Sequence, residues 1–390
     1  MNLYLFNPDH DLALANGDEN FNSPQSARTF AKDLACLPMW YAEPESVVLG
    51  AMPYRDWMEE MTRCFPQLSA VAVTSKPDFA ELSDIRPWGW NGAIAKSLAL
   101  KVGAADLIPT SSQIIDIRNL SHRATAIRAM DFLWQDSTLT DKIPILAQLI
   151  SIEDVVDFVS RNPKAIFKAP WSNSGKGLCW VSDGVTDSVL GWCRNVVEKQ
   201  GTIVAEKVYD KVQDFAMEFL CEGGAVRFAG YSLFQTERGI YRCNELMSDA
   251  AIVETLTNEW ISKEFLLAVQ NRLKEFILKE IAPLYNGYLG VDMFIYTENN
   301  QFRLHSCVEI NLRMTMGMVA RIFFDRFVEP NHFGKFYIDH FPSVGDLLSD
   351  HQQLLSSQPL QVEGGRIAKG YLSLSPISKN SHYRARVEIG

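Results

Sequence analysis

The first 110 residues alternate short apolar runs with amphipathic stretches. Leu3 to Phe6 read as a buried strand that ends in the polar loop N-P-D-H-D, followed by N-G-D-E-N. Ser46 to Leu49 and Ala70 to Val73 are further strand-like runs, and Ser26 to Leu37 has helical spacing between them. Short runs alternating with helical stretches predict a parallel α/β unit. In L-S-H-R-A-T-A-I-R-A-M-D-F-L the apolar residues recur on one helical face behind Ser121 as N-cap, which opens a second unit. Ser151, with Asp154 three residues on, predicts another helix start, leading into the strand that carries Lys168. From Gly201 the pattern becomes that of strands, in T-I-V-A-E-K-V, D-F-A-M-E-F-L and A-V-R-F-A-G-Y-S-L-F. A helix is expected from Glu259 to Ile281, then two strands bearing Asp292 and Glu309. Beyond Arg326 the pattern is less regular, with aromatics and histidines gathered between Phe327 and Phe341, and no internal repeat is present.

At 390 residues the chain exceeds what one core usually serves, about 250 to 300 residues, so several units are expected. The pattern changes divide it into 1–115, 116–200, 201–325 and 326–390. Charged residues make up 22%, and 47% are hydrophobic, which excludes a disordered chain. The net charge of −10 argues against a nucleic-acid surface, which is usually basic, but leaves room for a local basic pocket. Seven cysteines without a C-x-x-C pair argue against a zinc site or a disulfide framework and suit a reducing compartment. The N-terminus has no basic segment ahead of its apolar run, and no stretch approaches the ~20 apolar residues of a membrane span. A soluble, cytoplasmic protein with no membrane partner is expected.

Two separated segments carry candidate chemistry. A-I-F-K-A-P-W-S-N-S-G-K-G, Ala165 to Gly177, ends a strand on Lys168 and continues as a Ser/Gly loop with Lys176. Two cations and several free backbone N–H groups can face one polyphosphate. G-V-D-M-F-I through V-E-I-N-L-R, Gly290 to Arg313, sets Asp292 on one strand and Glu309 with Asn311 on the next. Residues two apart on a strand share a face, so Glu309 and Asn311 project together while Ile310 enters the core. Such hard oxygen ligands suit magnesium bridging phosphates.

On these residues the chain resembles the ATP-grasp superfamily, most strongly from Leu120 to Arg313. The resemblance implies an ATP-grasp fold, α/β with α+β character in the ATP-binding part, behind an N-terminal parallel α/β pre-ATP-grasp domain. It makes 1–115 that N-terminal domain, 116–200 and 201–325 the central and C-terminal ATP-grasp subdomains, and 326–390 a C-terminal extension. Lys168 and the loop Ser172 to Gly177, with Lys176, match the family's phosphate-binding lysine and mobile glycine-rich loop. Ala205 to Val208, through Glu206, Lys207 and Val208, match the hinge at adenine. Asp214, with Glu206 as second candidate, matches the acid at the ribose. Asp292, Glu309 and Asn311 match the metal ligands, for Mg2+ or in its place Mn2+, and Arg313 matches the arginine that follows them. Arg123 stands where the family usually has lysine; it keeps the charge and can bind phosphate bidentately. The implied activity is ADP-forming ligation of a small-molecule carboxylate to an amine through an acyl phosphate, with Arg313 and Lys176 catalytic and Arg123, Lys168 and Lys176 neutralising phosphate charge. The alternatives are a catalytically silent ATP-binding sensor or scaffold, and a small-molecule kinase on the same fold.

Blander readings compete for the same residues. The S-G-K-G loop is not a P-loop, because Pro170 and Gly177 stand where that motif needs glycine and Ser or Thr. Either lysine alone reads as a solvated charge. Asp292 reads equally as half of a buried salt bridge. Asn7, Asp9, His10 and Asp11 read as a substrate or metal site or as a hydrogen-bonded turn. His305 and Cys307 read as lining the Glu309 face of their strand, and Trp88 and Trp90 as core.

Overall fold

The N-terminal apolar runs become four parallel strands, β1 (Asn2–Leu5), β2 (Ser46–Leu49), β3 (Val71–Thr74) and β4 (Asp84–Pro87), in the order β3-β2-β1-β4. Alternation along β1 buries Leu3 and Leu5 against Val47, Ile85 and Leu98 on one face. Tyr4 and Phe6 turn the other way, into a larger core shared with the C-terminal part of the chain. This computed structural model describes residues 1–390 apart from 52–54, 102–104, 137, 138, 140–143, 145, 173–176, 183 and 238.

A second sheet is antiparallel, with β5 (Leu146–Leu149), β6 (Ala165–Lys168), β7 (Leu178–Val181) and β8 (Ile203–Lys207) in the order β5-β8-β6-β7. Two helices cover one face. Ile152–Arg161 starts on a capping box between Ser151 and Asp154, and Asp187–Gln200 ends on Gly201 at φ 82. Val155, Phe158, Val189 and Cys193 of these helices pack on Ala165, Phe167, Ile203 and Ala205. Ile166, Lys168 and Glu206 therefore face the opposite side, toward a cavity.

The third sheet comprises β9 (Asp210–Glu222), β10 (Ala225–Glu237), β11 (Ile240–Leu246), β12 (Gly287–Glu298), β13 (Gln301–Asn311), β14 (Gly334–His340), β15 (Gln361–Glu363), β16 (Arg366–Ser373) and β17 (Tyr383–Ile389). Among the described residues its order is β13-β12-β9-β10-β11-β14-β17-β16-β15. Phe215, Met217 and Phe219 of β9 and Val291 and Met293 of β12 pack against helices Ala124–Trp134 and Lys263–Glu280. Helix Met316–Phe327 joins this sheet to the first: Trp40 is fully buried among Phe65, Phe323 and Phe327, and its Nε1–H donates to the Leu374 carbonyl at 2.7 Å.

Several sequence expectations give way here. Ser121 does not start a helix. It caps the C-terminus of Ser111–Leu120, whose own start is a Thr110/Gln113 capping box, and the next helix begins at Ala124 behind Arg123. Helix Ser26 to Leu37 is shorter, Gln25–Asp33, and Pro38 lies in a buried 3-10 turn Leu37–Trp40. The expected helix Glu259 to Ile281 is Lys263–Glu280, capped by the Ser262 side chain, and Glu259 instead ends a separate, unexpected helix, Asp249–Glu259. Beyond Arg326 the chain is regular, because β14, β16 and β17 extend the large sheet. Their aromatic and charged residues satisfy lateral neighbours that a linear pattern does not display.

Candidate functional site

Strand alternation builds the floor of the site. Along β9, Phe215, Met217 and Phe219 enter the core, so Asp214, Ala216 and Glu218 face away from it. The ladder sets Asp292 beside Ala216 and Gly290 beside Glu218, while on β13 Glu309 lies opposite Asp292 and Asn311 opposite Gly290. On the other side, Ser232 of β10 pairs with Ala216. This acidic face lines a cavity of about 350 Å³, with Lys168, Glu206 and Arg123 among the residues on its other walls.

The cations across the cavity are held by acids. Arg123 donates to Glu309 Oε2 at 2.8 Å, to the Ala169 carbonyl at 3.0 Å and to Ser172 Oγ at 3.1 Å, where the glycine-rich loop begins. Lys176 lies outside the described residues. Lys168 is buried rather than a solvated charge, and it pairs with Glu206, whose other oxygen lies 3.3 Å from His305 Nε2. Burial alone would raise the Glu206 carboxyl; the Lys168 charge and His305 overcome it and hold it at about 2. Glu206 is thus a partner of Lys168, while Asp214 accepts from Lys211 and from Thr236, each at 2.7 Å. Lys207 points to Glu298 at 2.7 Å, and Val208 lines the cavity with its N–H on the Lys164 carbonyl at 3.1 Å.

Asp292 is not half of a salt bridge among the described residues. It accepts from Asn311 Nδ2 at 3.0 Å, and burial, with the charges of Glu309 and Glu218, pushes its carboxyl up to about 8. The Arg313 charge offsets this only in part, and two carboxylates with an amide are donors of the hard type a divalent cation takes. No group of three or more His, Cys, Asp or Glu among the described residues could hold a metal, so such a site would depend on the Asn311 amide. Its Oδ1 accepts from Arg313 Nη2 at 3.0 Å, and Arg313 Nε donates to both carboxylate oxygens of Asp11, at 3.0 and 3.1 Å.

Glu218 of this constellation escaped the sequence reading, which names Asp11 only as one of a loop cluster and not as the partner of Arg313. Asp11 belongs to the N-P-D-H-D cluster, which divides its labour. Asn7 bonds Gly89, Asp9 accepts from Ser23, His10 is buried, and Asp11 alone reaches across to Arg313. Glu218 interrupts the apolar strand D-F-A-M-E-F-L just as Asp292 interrupts its own, and that was the available signal. Burial pushes its carboxyl up to about 7 against the pull of the Thr315 and Ser232 hydroxyls and the Arg313 charge. His305 and Cys307 do not share a face. The irregular register between β12 and β13 turns Cys307 into the core and leaves His305 beside Glu206. Trp88 packs edge-on to Phe6 at 5.0 Å and also borders the cavity; Trp90 packs against the core.

The fold is the ATP-grasp fold, with a parallel N-terminal sheet, a four-stranded antiparallel sheet and the large sheet described above. N5-carboxyaminoimidazole synthetase of Staphylococcus aureus, solved with ADP, superimposes with a TM-score of 0.50 at 14% identity over 100% of this chain and 93% of that one. Biotin carboxylase of Campylobacter jejuni, solved as a β,γ-ATP complex, gives 0.50 at 13% identity over 100% and 87%. The biotin carboxylase domain of Hydrogenobacter thermophilus 2-oxoglutarate carboxylase, solved with MgADP, ADP and bicarbonate, gives 0.50 at 12% identity over 100% and 86%. No protein-family model matches the sequence, and no curated protein matches it significantly. Among the described residues no helix is long and apolar enough to cross a membrane.

Proposed function

We propose that this protein is an ATP- and magnesium-dependent, ADP-forming ligase that joins a small-molecule carboxylate to an amine through an acyl phosphate. The observation that carries the reading is the cavity itself: Asp292, Glu309 and Asn311 on one sheet, with Arg313 just past its β13 strand, oppose Lys168 and Arg123 on the other side. A nucleotide triphosphate needs both kinds of group, since phosphoryl transfer is catalysed mainly by positioning and charge stabilisation. The ADP and MgADP bound by the structural neighbours support a nucleotide in this place.

In this reading Lys168, Arg123 and Lys176 take the phosphates, and the hinge through Glu206, Lys207 and Val208 borders the adenine, with Asp214 at the ribose. Asp292, Glu309 and Asn311 would hold magnesium, which when bound supplies positive charge to the phosphate oxygens. Phosphate entry draws Arg123 from Glu309 and so frees a carboxylate oxygen for the cation. Arg313, fixed by Asp11 and Asn311, faces the negative charge that develops as the carboxylate is phosphorylated and as the amine displaces phosphate. No side-chain nucleophile is needed.

The test is product analysis with Mg-ATP and pooled carboxylates and amines. ADP and free phosphate that require both a carboxylate and an amine, and that vanish in Glu309→Gln, are the expected result. A phosphorylated product that keeps its phosphate would make the protein a kinase, and nucleotide binding without turnover in any pool would favour a sensor.

A further inference from the structure

Glu218 is the buried charge that the nucleotide and metal assignments leave unused. Its side chain is 1% exposed and lies on the cavity-facing side of β9. Oε1 accepts from Ser232 Oγ and from Thr315 Oγ1, each at 3.0 Å, while Oε2 has no hydrogen-bond partner among the described residues. No described Lys, Arg or His comes within ion-pairing distance of it. A buried carboxylate with a bare oxygen is costly unless something pairs with it.

The surroundings are cut to fit that carboxylate. A Cβ at Gly290 would stand 2.7 Å from Oε2, and one at Gly317 would stand 2.5 Å from Oε1 and 2.4 Å from Ser232 Oγ. Neither glycine has the positive φ that would require glycine for backbone reasons. Gly317 even lies in the first turn of helix Met316–Phe327, where alanine is the better helix former. The two glycines are thus explained by the space that the carboxylate occupies.

We propose that Glu218 is the seat of a protonated primary amine, the cationic group of a small-molecule substrate. One free oxygen suits a single N–H donor, whereas a guanidinium would ask for both oxygens of the carboxylate. A second metal ion is disfavoured because Ser232 and Thr315 turn their protons onto Glu218, so their oxygens are not arranged as ligands around a common point. Naming the amine a substrate rests on the ligase reading; the binding of the cation does not. On the same cavity wall as the Asp292 and Arg313 corner, the bound group would lie beside the acyl phosphate and become a nucleophile by giving one N–H proton to the bare Glu218 oxygen, the C–N bond then forming as the acyl C–O bond breaks and phosphate leaves.

Calorimetric titration of the wild type with ammonium, methylammonium, putrescine and lysine, each with Mg-ADP present, tests the seat against Glu218→Gln. At least one amine should bind, and Glu218→Gln should weaken it by about tenfold or more, the loss expected for a hydrogen bond to a charged group. The Mg-ADP affinity should change less than about twofold, within the spread of a neutral substitution. Gly317→Ala, which fills the cradle by a different route, should weaken the same amine. Amine affinities equal in wild type and both variants, or no amine binding to the wild type, would overturn the proposal, as would parallel loss of Mg-ADP and amine in Glu218→Gln. Hydroxamate formation by the wild type from ATP, hydroxylamine and the carboxylate pool reports the ligase reading separately. Glu218-dependent amine binding without hydroxamate would sink that reading and leave the seat standing, and the reverse pattern would do the opposite.

Discussion

Glu309 and Glu206 show how two carboxylates a few ångströms from cations come to differ. Glu309 is partly exposed and shares Arg123 with the start of the glycine-rich loop, so its partner can change. Glu206 is sealed in with Lys168, both nearly inaccessible. Glu309→Gln should cut turnover by about a hundredfold or more, the usual effect of losing one charge-stabilising group, with the circular dichroism spectrum unchanged; retained turnover would remove Glu309 from the metal set. Lys168→Met should behave differently, because it strands a buried negative charge. A loss of about 3 to 5 kcal/mol is expected, read as a lower urea midpoint, and the double variant Lys168→Met/Glu206→Gln should recover much of it. A single variant as stable as the wild type would mean that Glu206 is not held ionised.

Individual elements owe their positions to short-range signals that differ in legibility. The Ser151/Asp154 capping box stood in the sequence and the helix starts there. Ser121 looked equally suitable, yet its hydroxyl donates to the Ile117 carbonyl, because two helices abut and a serine serves a C-terminus as readily as an N-terminus. Thr315 has two duties: its Oγ1 accepts from the Met318 N–H at 2.9 Å as N-cap, and it donates to Glu218. Thr315→Ala should therefore destabilise by about 1 to 2 kcal/mol while Thr315→Ser stays near wild type, as denaturant unfolding would report. Equal stability of the two variants would mean that the cap and the Glu218 bond contribute little.

The whole molecule is tied together by contacts far apart in sequence. Arg313 reaches Asp11, Trp40 reaches Leu374, and Asp33 accepts from the backbone N–H groups of His382 and Tyr383. At this scale the titration of the buried His10 and of the partly buried His122 and His351 acts in one direction. His10, His122 and His351 are each pushed down to about 4 by burial, aided at His351 by Arg384 and at His122 by Arg118. Each is neutral in the folded state, so the unfolded chain takes up protons first, below about 6.5. Their stability contribution is whole above that pH and falls as the pH drops toward about 4. His351→Gln should flatten the decline between pH 7 and 5 by on the order of 1 kcal/mol, measured as urea midpoints at each pH; an identical slope in the variant would remove His351 from this account.

Three of the four strands of the N-terminal sheet, the period-two face that carries Asp292, Glu309 and Asn311, and Lys168 at a strand end were legible in the sequence alone, whereas β4 was not. These are local consequences of side-chain alternation and β-branched runs, which depend on neighbours a few residues away. The sequence also pointed to the ATP-grasp fold through motifs whose residues are close in the chain. Only the tertiary structure decided that Lys168 is paired with Glu206, that Asp11 anchors Arg313, that the chain beyond Arg326 completes the large sheet, and that Glu218 sits between two glycines with an oxygen bare. Those facts depend on ladder register and on contacts between residues as much as 350 positions apart, and no linear pattern encodes which strand lies beside which.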